Sequence, residues 1–337
     1  MRDVLMFIIK RLIMLIPILF GVSLITFSLI HIIPGDPAEI MAGEHATQAE
    51  VEVLREKLGL NDPLYIQYGR YLNNLLHLDL GYSLFKHKPV IEEILERFMA
   101  TLELTTLAIL FAFTVGVVTG VISATRRNSA FDHTARIWAI FGISTPIFWL
   151  GVMLQLTFSL YLGWFPFSAR IGTYTELNQI TGLFLLDSLI TGNIPAFIDV
   201  LKHLILPVIT LGMVQTTLIS RITRSSMLEV LGQDYIRTAR SKGLTERIVV
   251  YKHALKNALI PVVTVGGLNY AKLLGGAILT ETVYSWPGLG QYLWFSLTYR
   301  DFPAVQGCVL AYAIIFVVIN LIIDILYLYI DPRIKYK

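Results

Sequence analysis

The sequence is poor in charged residues for its length. Only 15% of its 337 residues are charged, against roughly 25% in soluble domains, while 55% are hydrophobic. A chain of this size that folded in water could not bury so many apolar side chains, because much of any folded surface stays exposed. The composition therefore excludes an ordinary soluble domain and predicts a membrane protein.

Cysteine and the motifs of common enzymes are also scarce. The single cysteine, Cys308, can form neither an intrachain disulfide nor a thiol pair for a metal, and we interpret it as a small buried hydrophobe. No G-x-x-x-x-G-K-[ST], H-E-x-x-H or G-x-S-x-G segment is present, which gives no support for an ATP-binding loop, a zinc site or a hydrolase elbow. We predict that the chain is not an enzyme and binds no metal, cofactor or nucleic acid of its own.

Six apolar segments reach the length of about 20 residues that a membrane-spanning helix needs. Lys10 and Arg11 precede the first segment, and no small-residue cleavage site follows it, so residues 1–33 are interpreted as a retained signal anchor. The predicted fold class is an all-α membrane protein with six transmembrane helices. The predicted regions are the anchor, an extracytoplasmic helical loop (34–98) and a transmembrane domain (99–330) with further spans at about 100–124, 137–164, 203–222, 258–280 and 303–330.

The orientation of these spans follows from where the positive charges lie. With the N-terminus inside, the inner segments hold 17 Lys and Arg residues and the outer segments hold nine. Cytoplasmic loops carry the excess of such residues. Both termini are therefore predicted to face the cytoplasm.

The first outer loop carries two helix signals. The stretch "TQAE" has the spacing of a capping box between Thr47 and Glu50, and Gly59 ends the apolar pattern that follows. "NDP" predicts a second helix with Asp62 as its N-cap and Pro63 at its first position. A small helical cap of this kind is either a docking surface or a structural lid.

Three charged residues lie within the predicted spans, where ionisable groups are functional candidates by default. Glu103 is near the outer end of span two, Lys272 is about midway along span five and Asp324 is nearer the inner end of span six. A pairing of Glu103 with Lys272 is one arrangement that the sequence leaves open. A stand-alone secondary carrier that uses these groups is an alternative function, although a denser chain of such groups is expected there.

A basic loop, residues 223–257, lies between spans four and five. Its pattern predicts a helix over 233–242, with Gly243 in the left-handed position after it and Leu244 packing back on Ala239. Thr245 is then placed to cap a second helix. That helix has a predicted apolar stripe formed by Leu244, Ile248, Tyr251 and Leu255. Charge and pattern alone leave three readings open: a site for anionic lipid, an ordinary positive cytoplasmic loop, or a docking element for a cytoplasmic partner.

The same loop resembles the "EAA" coupling motif of ABC importer permeases. Arg237-Thr238-Ala239 is followed by three residues, Gly243, nine residues and an apolar ending; Arg237 stands in place of the motif's Glu, and Lys256 in place of its Pro. Further segments resemble the dipeptide/oligopeptide branch of that family along essentially the whole chain. They are "IIPGDPAEIMAG", "LGLNDPLYIQY", "RFMATLELT", "RSSMLEVLGQDYIRTARSKGL", "GGAILTETVYSWPGLGQ", "RDFPAVQGCVL" and "DPRI".

The resemblance implies a permease subunit with type I ABC importer architecture in a bacterial or archaeal cytoplasmic membrane. It also implies a second permease, two cytoplasmic ATPases that use ATP and Mg²⁺, and an extracytoplasmic peptide-binding protein, with membrane lipid around the spans. The implied contact with an ATPase is formed by Arg237, Thr238, Ala239, Arg240, Lys242, Gly243, Leu244 and Thr245. Importers of nickel, glutathione or other small solutes in the same branch are the alternative.

A Pro-Gly turn lies before the last span, in the stretch "SWPGLG". Pro-Gly suits a type II turn, and the resemblance implies that Trp286, Pro287 and Gly288 lie near the outer mouth of the pathway. This turn is either structural or a contact for substrate or binding protein.

Overall fold

The regular structure of the chain is helical. The computed structural model describes residues 2–32, 37–42, 46–275 and 277–330, and within them only an isolated bridge between Tyr82 and Pro89 has strand-like pairing. The α-helices of these ranges are α1 (Arg2–Ile32), α2 (Pro37–Ala42), α3 (Gln48–Leu58), α4 (Leu64–Leu76), α5 (Val90–Thr125), α6 (Ala130–Ser144), α7 (Ile147–Leu154), α8 (Phe184–Ile190), α9 (Ile194–Leu231), α10 (Asp234–Ser241), α11 (Glu246–Ile248), α12 (Leu255–Leu274), α13 (Ile278–Val283), α14 (Leu289–Thr298) and α15 (Phe302–Ile330). Two π-helical stretches, Gln155–Tyr161 and Val249–Ala254, follow α7 and α11.

Five helical segments in the described ranges are long and apolar enough to cross a membrane, and a bent pair of helices brings the number to six. The five segments are Ile9–Ser28, Val90–Thr125, Ile194–Leu231, Glu246–Leu274 and Phe302–Ile323. The predicted all-α class is confirmed.

The third predicted span, 137–164, is not one straight helix. Ala130–Ser144 and Ile147–Tyr161 meet at an angle of 104°. The break falls at Thr145, which has extended dihedrals (φ −82, ψ 123) directly before Pro146. A residue before proline avoids the helical region because the proline ring clashes with its backbone. The fifth predicted span, 258–280, also differs, because its helix ends at Leu274.

The chain divides into two compact units, which are described separately. Unit 1 contains Met1–Phe98 and Gly288–Val318, and unit 2 contains Met99–Pro287 and Ile319–Lys337.

In unit 1, the cap predicted after the first span is present as α3 and α4. Thr47 and Glu50 form the predicted capping box, and Gly59 ends α3 in the left-handed conformation with φ 64. The second helix begins at Leu64, one residue later than predicted, with Pro63 as its N-cap. The Asp62 carboxylate accepts from Arg70 at 2.7 Å.

Hydroxyl contacts join α4 to α1, and a separate apolar core of unit 1 joins the start of α5 to α14 and α15. The Tyr68 hydroxyl is 2.9 Å from Ser23 Oγ, and the Tyr71 hydroxyl is 3.1 Å from Thr26 Oγ1. Cys308 is fully buried in the core, as its interpretation as a small hydrophobe requires. The buried members of this core are Val90, Ile94, Leu289, Tyr292, Ala304 and Cys308.

Unit 2 is built around α9, which α5 approaches at two glycines. A Cβ added to Gly116 would meet Ile219 Cβ at 2.9 Å, and one added to Gly120 would meet Thr223 Cβ at 2.6 Å and the Ser220 carbonyl oxygen at 2.7 Å. Glycines four residues apart let membrane helices pack backbone against backbone. The sequence "GVVTG" therefore explains how α5 and α9 come so close.

We predict that Gly120→Val destabilises the protein by about 1–3 kcal/mol, the usual cost of overpacking. The added side chain would press on the backbone and Cβ atoms of α9, which cannot swing away as a flexible side-chain end can. The measurement is thermal unfolding of the purified protein in detergent.

Gly69→Val is the matched control, since Gly69 is also helical but has no atom within 4 Å of its added Cβ. A melting temperature for Gly120→Val equal to that of Gly69→Val would contradict the close approach of the two helices.

Candidate functional site

The basic loop forms a short helix, a tight turn and a second helix. Gly243 has φ 75, which confirms the predicted left-handed position. Its N–H donates to the Arg240 carbonyl at 2.9 Å, and the Leu244 N–H donates to the Ala239 carbonyl at 3.4 Å. These two bonds form a Schellman motif, which satisfies carbonyls that the end of α10 would otherwise leave without partners.

One face of α10 is anchored in the protein. Ile236 is fully buried and Ala239 nearly so, and both belong to an apolar cluster at the ends of several spans. The other buried members of this cluster are Val121, Ala124, Met227, Val249, Val250, Ala254 and Ala258. Helix α10 therefore shares one apolar cluster with residues of α5, α9 and α12.

The opposite face of the segment is exposed. Leu244, Ile248 and Tyr251 are 37%, 41% and 57% exposed, and Tyr235 on α10 is 42% exposed. Five basic side chains of the same segment are also exposed: Arg237, Arg240, Lys242, Arg247 and Lys252. We call these exposed apolar and basic residues the coupling surface.

Three of the four residues of the predicted apolar stripe are exposed, and the fourth, Leu255, is partly buried against the apolar cluster. Leu244, Ile248 and Tyr251 point outward, while Val249, Val250 and Ala254 are buried. The buried side of this segment is formed by residues of the π-helical stretch Val249–Ala254, which departs from the period of 3.6 residues. This stretch also makes α11 continuous with α12, so the second helix of the segment is the start of a span.

One ion pair crosses the turn at Gly243, and weaker polar contacts lie on either side of it. Arg240 Nη2 lies 2.6 Å from Glu246 Oε1, across Gly243. Arg237 lies 3.7 Å from Asp234, but both side chains are at least 80% exposed, so that pair contributes little. Thr245 occupies the N-cap position without a side-chain cap bond, and the Thr238 hydroxyl donates to the Asp234 carbonyl.

A buried ion pair that the sequence analysis missed lies in the same unit. Arg224 of α9 binds Asp132 of α6 through two nitrogens, with Nε at 2.7 Å from Oδ1 and Nη2 at 2.9 Å from Oδ2. Asp132 is 0% exposed, and it also accepts from the Ser123 hydroxyl and the Asn128 N–H. The local signal in the sequence was that of a helix start, with Ser129 as the N-cap of α6 and Asp132 three residues later.

Glu103 pairs with Arg170 and not with Lys272. Arg170 Nη2 is 2.6 Å from Glu103 Oε2, and the Leu185 N–H donates to Glu103 Oε1 at 2.7 Å. Arg170 is only 6% exposed. Its guanidinium carbon lies 3.7 Å from the centre of the Phe184 ring. The carboxylate thus holds the segment around Arg170 and Leu185 against α5.

The prediction of a type II turn before α14 is wrong. Gly288 has φ −91, whereas Ser285 is the left-handed residue with φ 49. The Ser285 and Trp286 N–H groups donate to the Thr282 and Glu281 carbonyls, so this is a Schellman turn at the end of α13. Trp286 is fully buried, and its Nε1–H donates to the Ala100 carbonyl at 2.9 Å. Pro287, by contrast, is exposed.

Lys272 does not lie where it was predicted. Lys272 is exposed and lies in the last turn of α12, not midway along a span, because the helix ends at Leu274. A cation there is favourable at the negative end of the helix dipole. The side chain of Asp324 lies outside the described residues.

The fold defines the class of protein. A solved structure described as "Inward facing conformations of the MetNI methionine ABC transporter" aligns with a TM-score of 0.52 at 17% identity, over 72% of this chain and 97% of that chain. At this identity the likeness concerns the fold alone. The fold is that of type I ABC importer membrane domains.

Family and relatives agree with the fold. Residues 116–336 match the family "Binding-protein-dependent transport system inner membrane component", and residues 4–105 match its N-terminal membrane component. The chain belongs to this family of ABC importer permeases. It is 50% identical to the dipeptide transport system permease protein DppB of Alkalihalophilus pseudofirmus, over 97% of this chain and 98% of that one.

Two Escherichia coli proteins are also similar over almost their full length. Identity to the dipeptide transport system permease protein DppB of strain K12 is 49%, over 99% of both chains. Identity to the glutathione transport system permease protein GsiC of strain O6:H1 is 42%, over 98% of this chain and 99% of that one.

We predict that Glu103→Gln costs about 3–5 kcal/mol of stability, because it leaves the buried Arg170 without this carboxylate. The double change Glu103→Leu with Arg170→Met removes both charges and is expected to recover most of the loss. Thermal unfolding in detergent measures both effects.

Glu92→Gln on the same helix is the control, since Glu92 is exposed. Unchanged stability of Glu103→Gln together with lost uptake would contradict the structural role and assign Glu103 to the translocation pathway.

Proposed function

We propose that this chain is one of two permease subunits of an importer that carries dipeptides and short oligopeptides into the cell. Two cytoplasmic ATPases that bind ATP and Mg²⁺ drive it, and an extracytoplasmic binding protein delivers the peptide. Relatives described as dipeptide permeases, at 50% and 49% identity, support peptide as substrate over glutathione, whose permease is 42% identical. The lack of a P-loop motif in the sequence fits a chain whose energy source is bound by its partners.

The observation that carries the proposal is that the basic loop has one buried face and one exposed face. Ile236 and Ala239 are buried among the ends of spans, while Leu244, Ile248 and Tyr251 stay exposed beside basic side chains. Exposed apolar side chains next to basic ones, on a segment that is also anchored in the protein, fit a surface that a partner protein covers. We assign the coupling surface to an ATPase groove.

The excess of Lys and Arg in the basic loop supports a cytoplasmic position for that surface, with both chain termini on the same side. There, closure of the ATPases would displace α10 and the start of α12. Coupling requires that ATP and peptide favour different states of one two-state body. The helices on both sides of Gly243 contribute to the apolar cluster at the ends of the spans. Displacement of the coupling surface would therefore link the state of the ATPases to the state of the spans.

The experiment is uptake of labelled dipeptide into liposomes that contain both permeases and both ATPases, with binding protein on the side of the extracytoplasmic loop. We expect uptake only with Mg²⁺-ATP on the ATPase side and with the binding protein present. Competition by excess tripeptide, glutathione or Ni²⁺ then ranks the substrate classes. Uptake by this chain alone, with no ATPase, would show a secondary carrier instead.

We predict that Gly243→Trp leaves insertion into the membrane intact but uncouples ATP hydrolysis from dipeptide uptake. The new side chain stands on the coupling surface, and any residue with a Cβ is strained at φ 75 by about 1–2 kcal/mol. The measurement is the number of ATP molecules hydrolysed per dipeptide taken up.

Gly192→Trp is the matched control for backbone strain. Gly192 has φ 66, and like Gly243 it has no atom within 4 Å of an added Cβ. Equal uncoupling in both variants would show that strain alone is responsible, and undiminished uptake in Gly243→Trp would overturn the coupling assignment.

A further inference from the structure

The buried Asp132 carboxylate joins three helices of unit 2. It lies in α6, its two-point partner Arg224 lies in α9, and the Ser123 hydroxyl that donates to it lies in α5. The Asn128 N–H, from the turn that connects α5 to α6, is a fourth donor at 3.0 Å. We call Asp132, Arg224 and Ser123 the helix clamp.

The helix clamp is linked to α10 by the chain itself and by the apolar cluster under α10. Arg224 lies close to the end of α9 at Leu231, from which the chain passes through Gly232 and Gln233 into α10. On α5, Val121 and Ala124 flank Ser123 and belong to the cluster that buries Ile236 and Ala239 of α10. Both ends of the clamp are therefore next to residues that a movement of α10 would push.

Close packing already holds these helices together without the clamp. Gly116 and Gly120 seat α5 on α9, and a Cβ on Gly142 of α6 would lie 2.5 Å from Thr217 Oγ1 of α9. Asp132 is fully buried while the Arg224 side chain is 22% exposed. Such a pair adds little to stability compared with apolar side chains of the same volume, because the charges must give up water. Its two-point geometry does fix orientation, which a single apolar contact does not.

We propose that Asp132 and Arg224 are positioning residues for transport: they make the ends of α5 and α9 and the start of α6 move as one body with the coupling surface. A displacement of α10 then moves α5, α6 and α9 together, and α9 does not tilt by itself. This inference rests on the proposed function, since it concerns how the ATPase stroke is transmitted.

The first test is the coupling ratio of the complete transporter in liposomes. For Asp132→Asn combined with Arg224→Met, we expect dipeptide uptake to fall about tenfold, which is within the range by which changes along a coupled network act, while ATP hydrolysis continues. Arg224→Lys keeps the charge but loses the fork, and its coupling ratio is expected to lie between those of the double variant and the unchanged chain.

Arg136→Gln is the matched control for a charge contact with the same carboxylate. Arg136 is 3.6 Å from Asp132 and its side chain is 47% exposed, against 22% for Arg224. We expect its coupling ratio to equal that of the unchanged chain.

A second test measures the helices without transport. Nitroxide labels at Thr134→Cys and Gln233→Cys, both exposed and both outside the coupling surface, report the distance from α6 to the start of α10 in a Cys308→Ser background. Within the assembled transporter we expect a narrow distance distribution with the clamp intact and a clearly broader one in the double variant.

The outcomes separate the two proposals. Failure of the unchanged chain to take up dipeptide in the presence of ATP and binding protein defeats the proposed function, and the label distances still report on the clamp. An unchanged distribution in the double variant overturns the clamp as a mechanical link. A lower melting temperature with uptake and ATP hydrolysis reduced in equal proportion overturns it as well, because that result marks a merely stabilising pair.

Discussion

The close approach of α5 to α9 is the constraint on which unit 2 depends. Helices in a membrane gain little from hiding apolar side chains from lipid, so they associate through tight van der Waals packing of small residues. Gly116 and Gly120 supply this on α5, and Gly142 does so for α6. With these backbones held so near each other, the polar groups of neighbouring helices can find partners, as Thr119 Oγ1 does with Ser220 Oγ at 2.9 Å.

The buried charges of unit 2 have different consequences according to where they lie. Glu103 and Arg170 tie a connecting segment to α5, next to the buried Trp286. Asp132 and Arg224 join the helices on which the basic loop rests. In both cases arginine is the cation, and its planar fork can satisfy a buried carboxylate and fix its direction at once.

Much of the local structure was predictable because it depends on residues within one or two helical turns. Thr47 and Glu50 cap α3, and Gly243 takes the left-handed turn after α10, as their sequence context indicates. Predictions failed where a neighbour in space changed the local rule. The turn at Ser285 is an example: Trp286 is buried against α5, and a serine takes the left-handed position where glycine would be expected.

The sequence by itself determined the apolar lengths of the spans, the positive charge of one loop and the hinge at Gly243, since each depends on composition or on adjacent residues. Only the tertiary structure decided that Glu103 meets Arg170, that Asp132 meets Arg224, and that Leu244 and Tyr251 stay exposed while Val249 and Val250 are buried. The physical reason is that an ion pair joins residues distant in the chain, and helices can be packed in many registers. The sequence pattern predicts where helices form, whereas the packing of those helices decides which side chains pair.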